Sequence, residues 1–237
     1  MVYNVTENET QPTLWSHING TPEEILDRYC VTELAKGWPV YRDASEWRNY
    51  RDCFDQEGAY IFTTWSGGMT IDDFIATSIA TRRDGDFIMH RENGILVDLN
   101  RDTGRAVAKM KATITQRFHT DSDNEAEYDV DCDCRFIMFC KKIDGQGWKI
   151  KYKKLIYEKD RVVPVDGRSV PKFTKEELDK YPYGYRYLGA SQARLGHRIK
   201  LDLPVLNNQG LGKMYEAMDA WLRGEKIEGL LGIEKQE

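Results

Sequence analysis

Near neutral pH the side chain best suited to moving protons is the imidazole, which titrates near 6.5 when unperturbed. The chain carries four histidines, and only His90 stands at a junction that a fold could exploit. It follows the apolar turn Phe87-Ile88-Met89 and enters a strand-like segment. His17 falls in a polar N-terminal arm, His119 at a strand end beside an acidic loop, and His197 next to Arg198. The plain alternative for His90 is a hydrogen-bonded structural histidine. Asp43 precedes Ala-Ser-Glu-Trp, which is good N-capping chemistry, so capping stands beside any catalytic reading. Tyr41 and Tyr60 can each donate to a substrate oxygen or merely fill core.

Other constellations carry less. Cys132 and Cys134 share a strand face and alternate with Asp131 and Asp133. With no second pair and no histidine at ligand spacing, they read as small apolar side chains rather than a zinc site. The loop Asp121-Ser-Asp-Asn-Glu125 lacks the glycine and terminal Glu of a calcium loop. Gly67-Gly68 and Gly210-Leu-Gly212 form no phosphate-loop pattern. No metal or cofactor is expected.

The elements that must position these groups change character along the chain. Thr21-Pro22-Glu23-Glu24 is a capping box with proline at the first helical position. Ile25, Leu26, Tyr29 and Cys30 follow at helical spacing, and Gly37 and Pro39 are expected to end that helix. A second helix is expected from Asp43-Ala44-Ser45 through Trp47, Tyr50, Cys53 and Phe54. A short strand falls at Ala59–Thr64, and a third helix starts at Thr70 with Asp73 and runs through Ala80. The period then becomes two. Gly94 to Asn100 and Ala106 to His119 form a hairpin, Tyr128 to Cys140 a strand, and Trp148 to Tyr157 the last one. Three helices followed by antiparallel strands predict a two-layer α+β domain with a pocket between the layers.

Residues 1–20 read as an N-terminal arm, 21–157 as the domain, and 158–237 as a C-terminal extension. The extension holds a proline-containing linker, a capped helix at Thr174, the aromatic stretch Tyr181–Tyr187 and an amphipathic helix. The helix carries Leu211, Met214, Tyr215, Met218, Trp221 and Leu222 on one face. It has too few strands for a second core and is expected to wrap its own domain, a neighbouring subunit, or both. The aromatic stretch could lid the pocket.

Composition narrows the function classes. At 237 residues and 41% hydrophobic, the chain reads as an ordinary soluble globular protein. A net charge of −5 argues against general nucleic-acid binding. No run of about eighteen apolar residues predicts a membrane span, and the polar first twenty residues carry no signal-peptide pattern. Five cysteines without an export signal read as reduced core residues, and a cytoplasmic location is expected. Thirteen Tyr and six Trp suit a cavity lined with rings.

The segment Tyr41-Arg42-Asp43-Ala44-Ser45-Glu46-Trp47 resembles the second-helix start of scytalone dehydratase and the SnoaL-like, nuclear-transport-factor-2-like families. Phe87-Ile-Met-His90 resembles their histidine-bearing segment, and Thr115-Gln-Arg-Phe118 their His-Gln-Arg-Tyr strand. Lys141-Lys-Ile-Asp-Gly145 followed by Trp148 resembles their final hairpin. The resemblance spans roughly residues 21 to 157. It implies a cone-shaped fold, with three N-terminal helices packed on a curved, mostly antiparallel sheet. It also implies that Asp43 orients His90 for acid–base work, with Tyr41 as a third catalytic group and Tyr41 or Tyr60 steadying a developing oxyanion. Arg42, Tyr60, Phe62, Trp65, Thr115, Arg117, Cys134 and Phe136 are the substrate-binding residues it points to. The sequence departs from scytalone dehydratase where Thr115 replaces a second pocket histidine and Cys134 and Phe136 replace a polar pair, so scytalone is not the expected substrate.

What the resemblance implies is a cofactor-free lyase or isomerase: a dehydratase, a retro-aldol (formaldehyde-eliminating) lyase, or a cyclase. The substrate expected is a hydrophobic aromatic or polyketide-like small molecule. A non-catalytic binding or assembly module of the same fold is the alternative, and epoxide hydrolysis on a carboxylate–Arg–carboxylate set a third. A homo-oligomer is expected, because the outer face of such a sheet commonly pairs with another subunit.

Overall fold

The computed structural model describes residues 12–83, 85, 87–120 and 126–233. The acidic loop Asp121–Glu125 and most of the N-terminal arm lie outside the described residues. Helix α1 (Pro22–Asp43) opens with the anticipated capping box: the Glu24 N–H donates to Thr21, and the Thr21 N–H donates back to Glu24 Oε2 at 2.8 Å. It does not stop at Gly37 or Pro39. Pro39 forfeits one helical hydrogen bond, and packing against the sheet carries the helix through. At Gly37 a Cβ would lie 3.0 Å from the Tyr41 ring and 3.2 Å from Cys53 Sγ, so glycine permits a close approach there.

The buried stripe of α1 also differs from the expected one. Ile25, Leu26 and Tyr29 are exposed, whereas Asp27, Arg28, Val31, Ala35, Trp38 and Arg42 face inward. Asp27 tolerates burial because Lys142 Nζ at 2.7 Å, Trp148 Nε1 at 2.9 Å and Arg101 Nε at 3.1 Å all donate to its carboxylate. Helix α2 (Trp47–Asp52) starts four residues later than anticipated. Asp43 is thus the last residue of α1, not the N-cap of α2. Short strands β1 (Tyr60–Ile61) and β2 (Met69–Thr70) precede α3 (Ile71–Arg83).

Four long strands follow: β3 (Ile88–Asn100), β4 (Arg105–His119), β5 (Glu127–Ile143) and β6 (Gly147–Pro164). The sheet runs β2-β1-β6-β5-β4-β3, antiparallel except for the β1–β6 pair. The inner face carries Ala106, Ala108, Met110 and Ala112 of β4 with Cys132, Cys134, Phe136 and Met138 of β5, and packs on Val31, Ala35, Trp38, Tyr50 and Phe74. This is the α+β cone anticipated, though its last strand continues seven residues beyond Tyr157.

The extension packs on its own chain. After α4 (Lys175–Leu178) and a 3-10 turn (Tyr183–Tyr185), α5 (Arg186–Arg194) lies across the open end of the inner face. Helix α6 (Gln209–Leu222) covers the outer face against Val107, Ile137, Phe139 and Tyr152, followed by α7 (Glu228–Leu231). Trp221 Nε1 donates to the carbonyls of Cys140 at 3.1 Å and Ala106 at 3.2 Å. That part of the outer sheet is therefore occupied by the chain itself. Among the described residues no helix is long and apolar enough to cross a membrane.

Candidate active site

Strand β3 is the sheet edge, so one row of its backbone groups lacks a strand partner. His90 turns that edge to use. Its backbone N–H donates to Asp43 Oδ2 at 2.6 Å, and its Nδ1 lies 2.8 Å from Asp43 Oδ1. The carboxylate at the end of α1 thus grips one residue by main chain and ring together. Arg42 Nη1 also donates to Asp43 Oδ1, at 3.3 Å. With Nδ1 engaged, Nε2 is the nitrogen left to the interior. The ring is 5% exposed and stands edge-on to Trp38, centroids 4.7 Å apart, and to Phe136 at 5.8 Å.

His90 lines a small internal cavity of about 30 Å³. Its walls are the aromatics Trp38, Trp65, Phe74 and Tyr157, and its polar groups are Arg42, Thr64, Gln116, Lys153 and Gln192. Helix α5 closes one side with Leu188 and Gln192. Thr64 Oγ1 donates to Gln192 Oε1 at 2.7 Å, and Gln192 Nε2 donates to Gln116 Oε1 at 2.8 Å. On the far side, Asp43 and His90 also border an open groove of about 290 Å³ with Lys36, Pro39, Val40 and Glu92.

The anticipated site residues divide. Asp43, His90, Arg42, Trp65 and Phe136 meet at or beside this cavity. Tyr41 does not line it; its ring packs near Gly37 and Cys53. Tyr60 and Phe62 join the outer cluster under α6. Thr115 and Arg117 face outward, Thr115 donating to Asp131 at 2.6 Å and Arg117 pairing with Asp129 and Glu127. Side chains alternate along a strand, so the inward residues of that segment are Ile114 and Gln116. Cys134 is core, its thiol donating to the Ala112 carbonyl, and burial pushes that thiol far up.

Lys153 is the group that sequence reasoning missed, and a β-bulge explains why. Ile150 pairs with Cys140 but Tyr152 with Phe139, so one extra residue interrupts β6 at Lys151. Strict alternation from Trp148 and Ile150 would turn Lys153 outward; the bulge turns it in, with Leu155 and Tyr157.

Burial lowers the His90 pKa from 6.5 to about 4, with the neighbouring Arg42 and Lys153 adding to the shift and Asp43 opposing it. Asp43 is drawn down mainly by His90 against its own desolvation. Near neutral pH the pair is therefore a carboxylate and a neutral imidazole. Asp160 on β6 is shifted the other way, up to about 7, because it is desolvated beneath α5, where the Leu188 N–H donates to it at 2.8 Å.

These two groups pull stability in opposite directions. Between pH 6.5 and about 4 the unfolded His90 binds a proton that the folded one refuses, so stability falls as pH drops. Between pH 3.8 and about 7 the folded Asp160 holds a proton that the unfolded one releases, so stability falls as pH rises. Each slope reaches at most about 1.4 kcal/mol per pH unit. Asp160→Asn is expected to leave unfolding midpoints rising with pH across this window, and His90→Asn to leave them falling. Urea melts of both variants at about pH 4.5, 5.5 and 6.5 check this, and parallel profiles would refute it.

The SnoaL-like domain model matches residues 23–154, the span that holds Asp43, His90 and Lys153. Pea pathogenicity protein 2 of Fusarium vanettenii is 42% identical over 218 residues, 89% of this chain and 91% of that protein. A PEP2-like protein of the same organism is 40% identical over 227 residues, 92% of this chain and 95% of that one. Among solved structures, the Kfla4162 protein of Kribbella flavida superposes with a TM-score of 0.45 at 17% identity, covering 55% of this chain and 90% of that one. With more than half its length inside the domain model and two relatives aligned nearly end to end, the chain belongs to the SnoaL-like family.

Proposed function

We propose that the protein is a lyase or isomerase in which His90, oriented by Asp43, moves a proton on a hydrophobic small molecule. The observation that carries this reading is the double grip of Asp43 on the His90 main chain and Nδ1, which leaves Nε2 to an aromatic-walled cavity. A buried neutral imidazole is a base at pH 7, and the ionised Asp43 stabilises the imidazolium as the proton arrives. Gln116 and the Arg42 guanidinium are polar groups on the same wall, able to stabilise charge on a substrate oxygen. The rings of Trp38, Trp65, Phe74 and Tyr157 suit a flat apolar substrate.

About 30 Å³ holds a water molecule or two, not an aromatic ring. Substrate therefore enters when α5 withdraws Leu188 and Gln192, at the cost of the bonds from Gln192 to Thr64 and Gln116. Reclosure excludes water from the proton transfer.

A binding module needs no polar pair in its pocket, and the 2.8 Å contact between Asp43 and His90 favours catalysis over that role. Epoxide hydrolysis needs a second carboxylate across an arginine; Arg117 spends its charge on the outer face instead. The test is deuterium exchange. Incubated in D₂O with a panel of aromatic and polyketide-like ketones, the protein should exchange hydrogen next to the carbonyl of at least one of them. Binding of panel members without exchange or turnover of any would replace the enzyme by a carrier.

A further inference from the structure

The site holds a second reactive group that the acid–base pair does not use. Lys153 is 1% exposed and lines the same cavity as His90. Its Nζ sits 3.7 Å from the Trp38 ring centroid and 4.0 Å from that of Phe136, the two rings that also flank His90. Burying an amine among apolar groups carries a desolvation cost, greatest for its charged form. A methionine would fill the same space without that cost. The fold nevertheless spends a β-bulge on turning this side chain inward.

We propose that Lys153 is a nucleophile that forms an imine with an aldehyde or ketone carbonyl of the substrate. This rests on the reading of His90 as the proton carrier and names the substrate class. Desolvation and the nearby Arg42 both favour the neutral amine, and a neutral amine in an apolar pocket attacks carbonyls.

The step balances within the site. The Nζ lone pair adds to the carbonyl carbon, the C=O π pair moves to oxygen, and one Nζ proton passes by way of a water molecule to that oxygen. The nitrogen lone pair then forms C=N as the C–O bond breaks, and the hydroxyl leaves as water with a proton taken from solvent. The resulting iminium accepts the electron pair released when His90 removes an adjacent proton, or when an adjacent C–C bond breaks. Hydrolysis by water returns the free lysine and a carbonyl product.

The experiment is reductive trapping on the full-length protein with propanal and cyanoborohydride at about pH 6, read by peptide mass spectrometry. Desolvation favours the neutral amine of Lys153, so it is expected to label at least about tenfold ahead of the exposed lysines. Gln192→Ala, which cuts the tether of α5, should speed that labelling. His90→Asn should keep a labelled Lys153 yet lose deuterium exchange, which separates imine formation from the acid–base role. Label confined to surface lysines in both the wild type and Gln192→Ala would overturn the proposal and leave the dyad reading standing. Labelled Lys153 without deuterium exchange in the wild type would do the reverse.

Discussion

His90→Asn is expected to lower turnover by about two to four orders of magnitude while the protein stays folded. The choice of asparagine is geometric. Its Nδ2 can stand where the imidazole Nδ1 stands and donate to Asp43 Oδ1, and the residue's backbone N–H still donates to Oδ2. What it cannot supply is Nε2, the nitrogen that reaches the cavity. The stability cost is that of trimming a ring from the faces of Trp38 and Phe136, about 1–2 kcal/mol. Exchange rates in D₂O, set against a urea melt of the same sample, check both halves. Wild-type exchange by a folded His90→Asn protein would remove His90 from the chemistry. Loss of folding together with activity would make it a structural histidine.

How far the sequence could be read follows from which signals are local. The capping box at Thr21, the cap at Thr174 and the alternation of β5 depend on residues within a few positions of one another, and each stands where it was expected. The contact between Asp43 and His90 spans 47 residues, and only the resemblance to SnoaL-like proteins pointed to it. The errors have physical causes. Asp43 reads as a cap because the intrinsic propensities of Gly37 and Pro39 end a helix before it, and packing on the sheet overrides them. Thr115 and Arg117 belong to the motif, whereas period-two geometry admits only Ile114 and Gln116 from that segment to the cavity. Lys153 was invisible because a bulge shifts parity, and no residue type near Lys151 announces one. Gln192 lies in the extension, 76 residues from the Gln116 it bonds, where no strand pattern could place it.

Helix α1 makes the point quantitatively. Trp38→Ala is expected to cost about 3–5 kcal/mol, a large share of the roughly 5–15 kcal/mol that holds a typical domain together. Trp38 is 1% exposed and stands edge-on to Tyr50, His90 and Phe136 while presenting a face to Lys153 Nζ. Trp38 links helix, sheet, imidazole and amine, so its loss opens a cavity at the contact between the two layers. Leu26→Ala, on the opposite side of the same helix, removes an apolar residue that is already 61% exposed and should shift stability by less than about 0.5 kcal/mol. Urea denaturation of the two variants separates the faces: equal effects would mean that α1 packs through Ile25, Leu26 and Tyr29 after all. Trp38→Phe supplies the functional half of the argument. It keeps a ring against His90 and Phe136 but shortens the surface over Lys153. A fall in propanal labelling or a shift in its pH profile, with little change in stability, would locate the tuning of the amine in the indole itself. Were labelling unchanged, burial by β6 and α5 would be what sets the reactivity of Lys153.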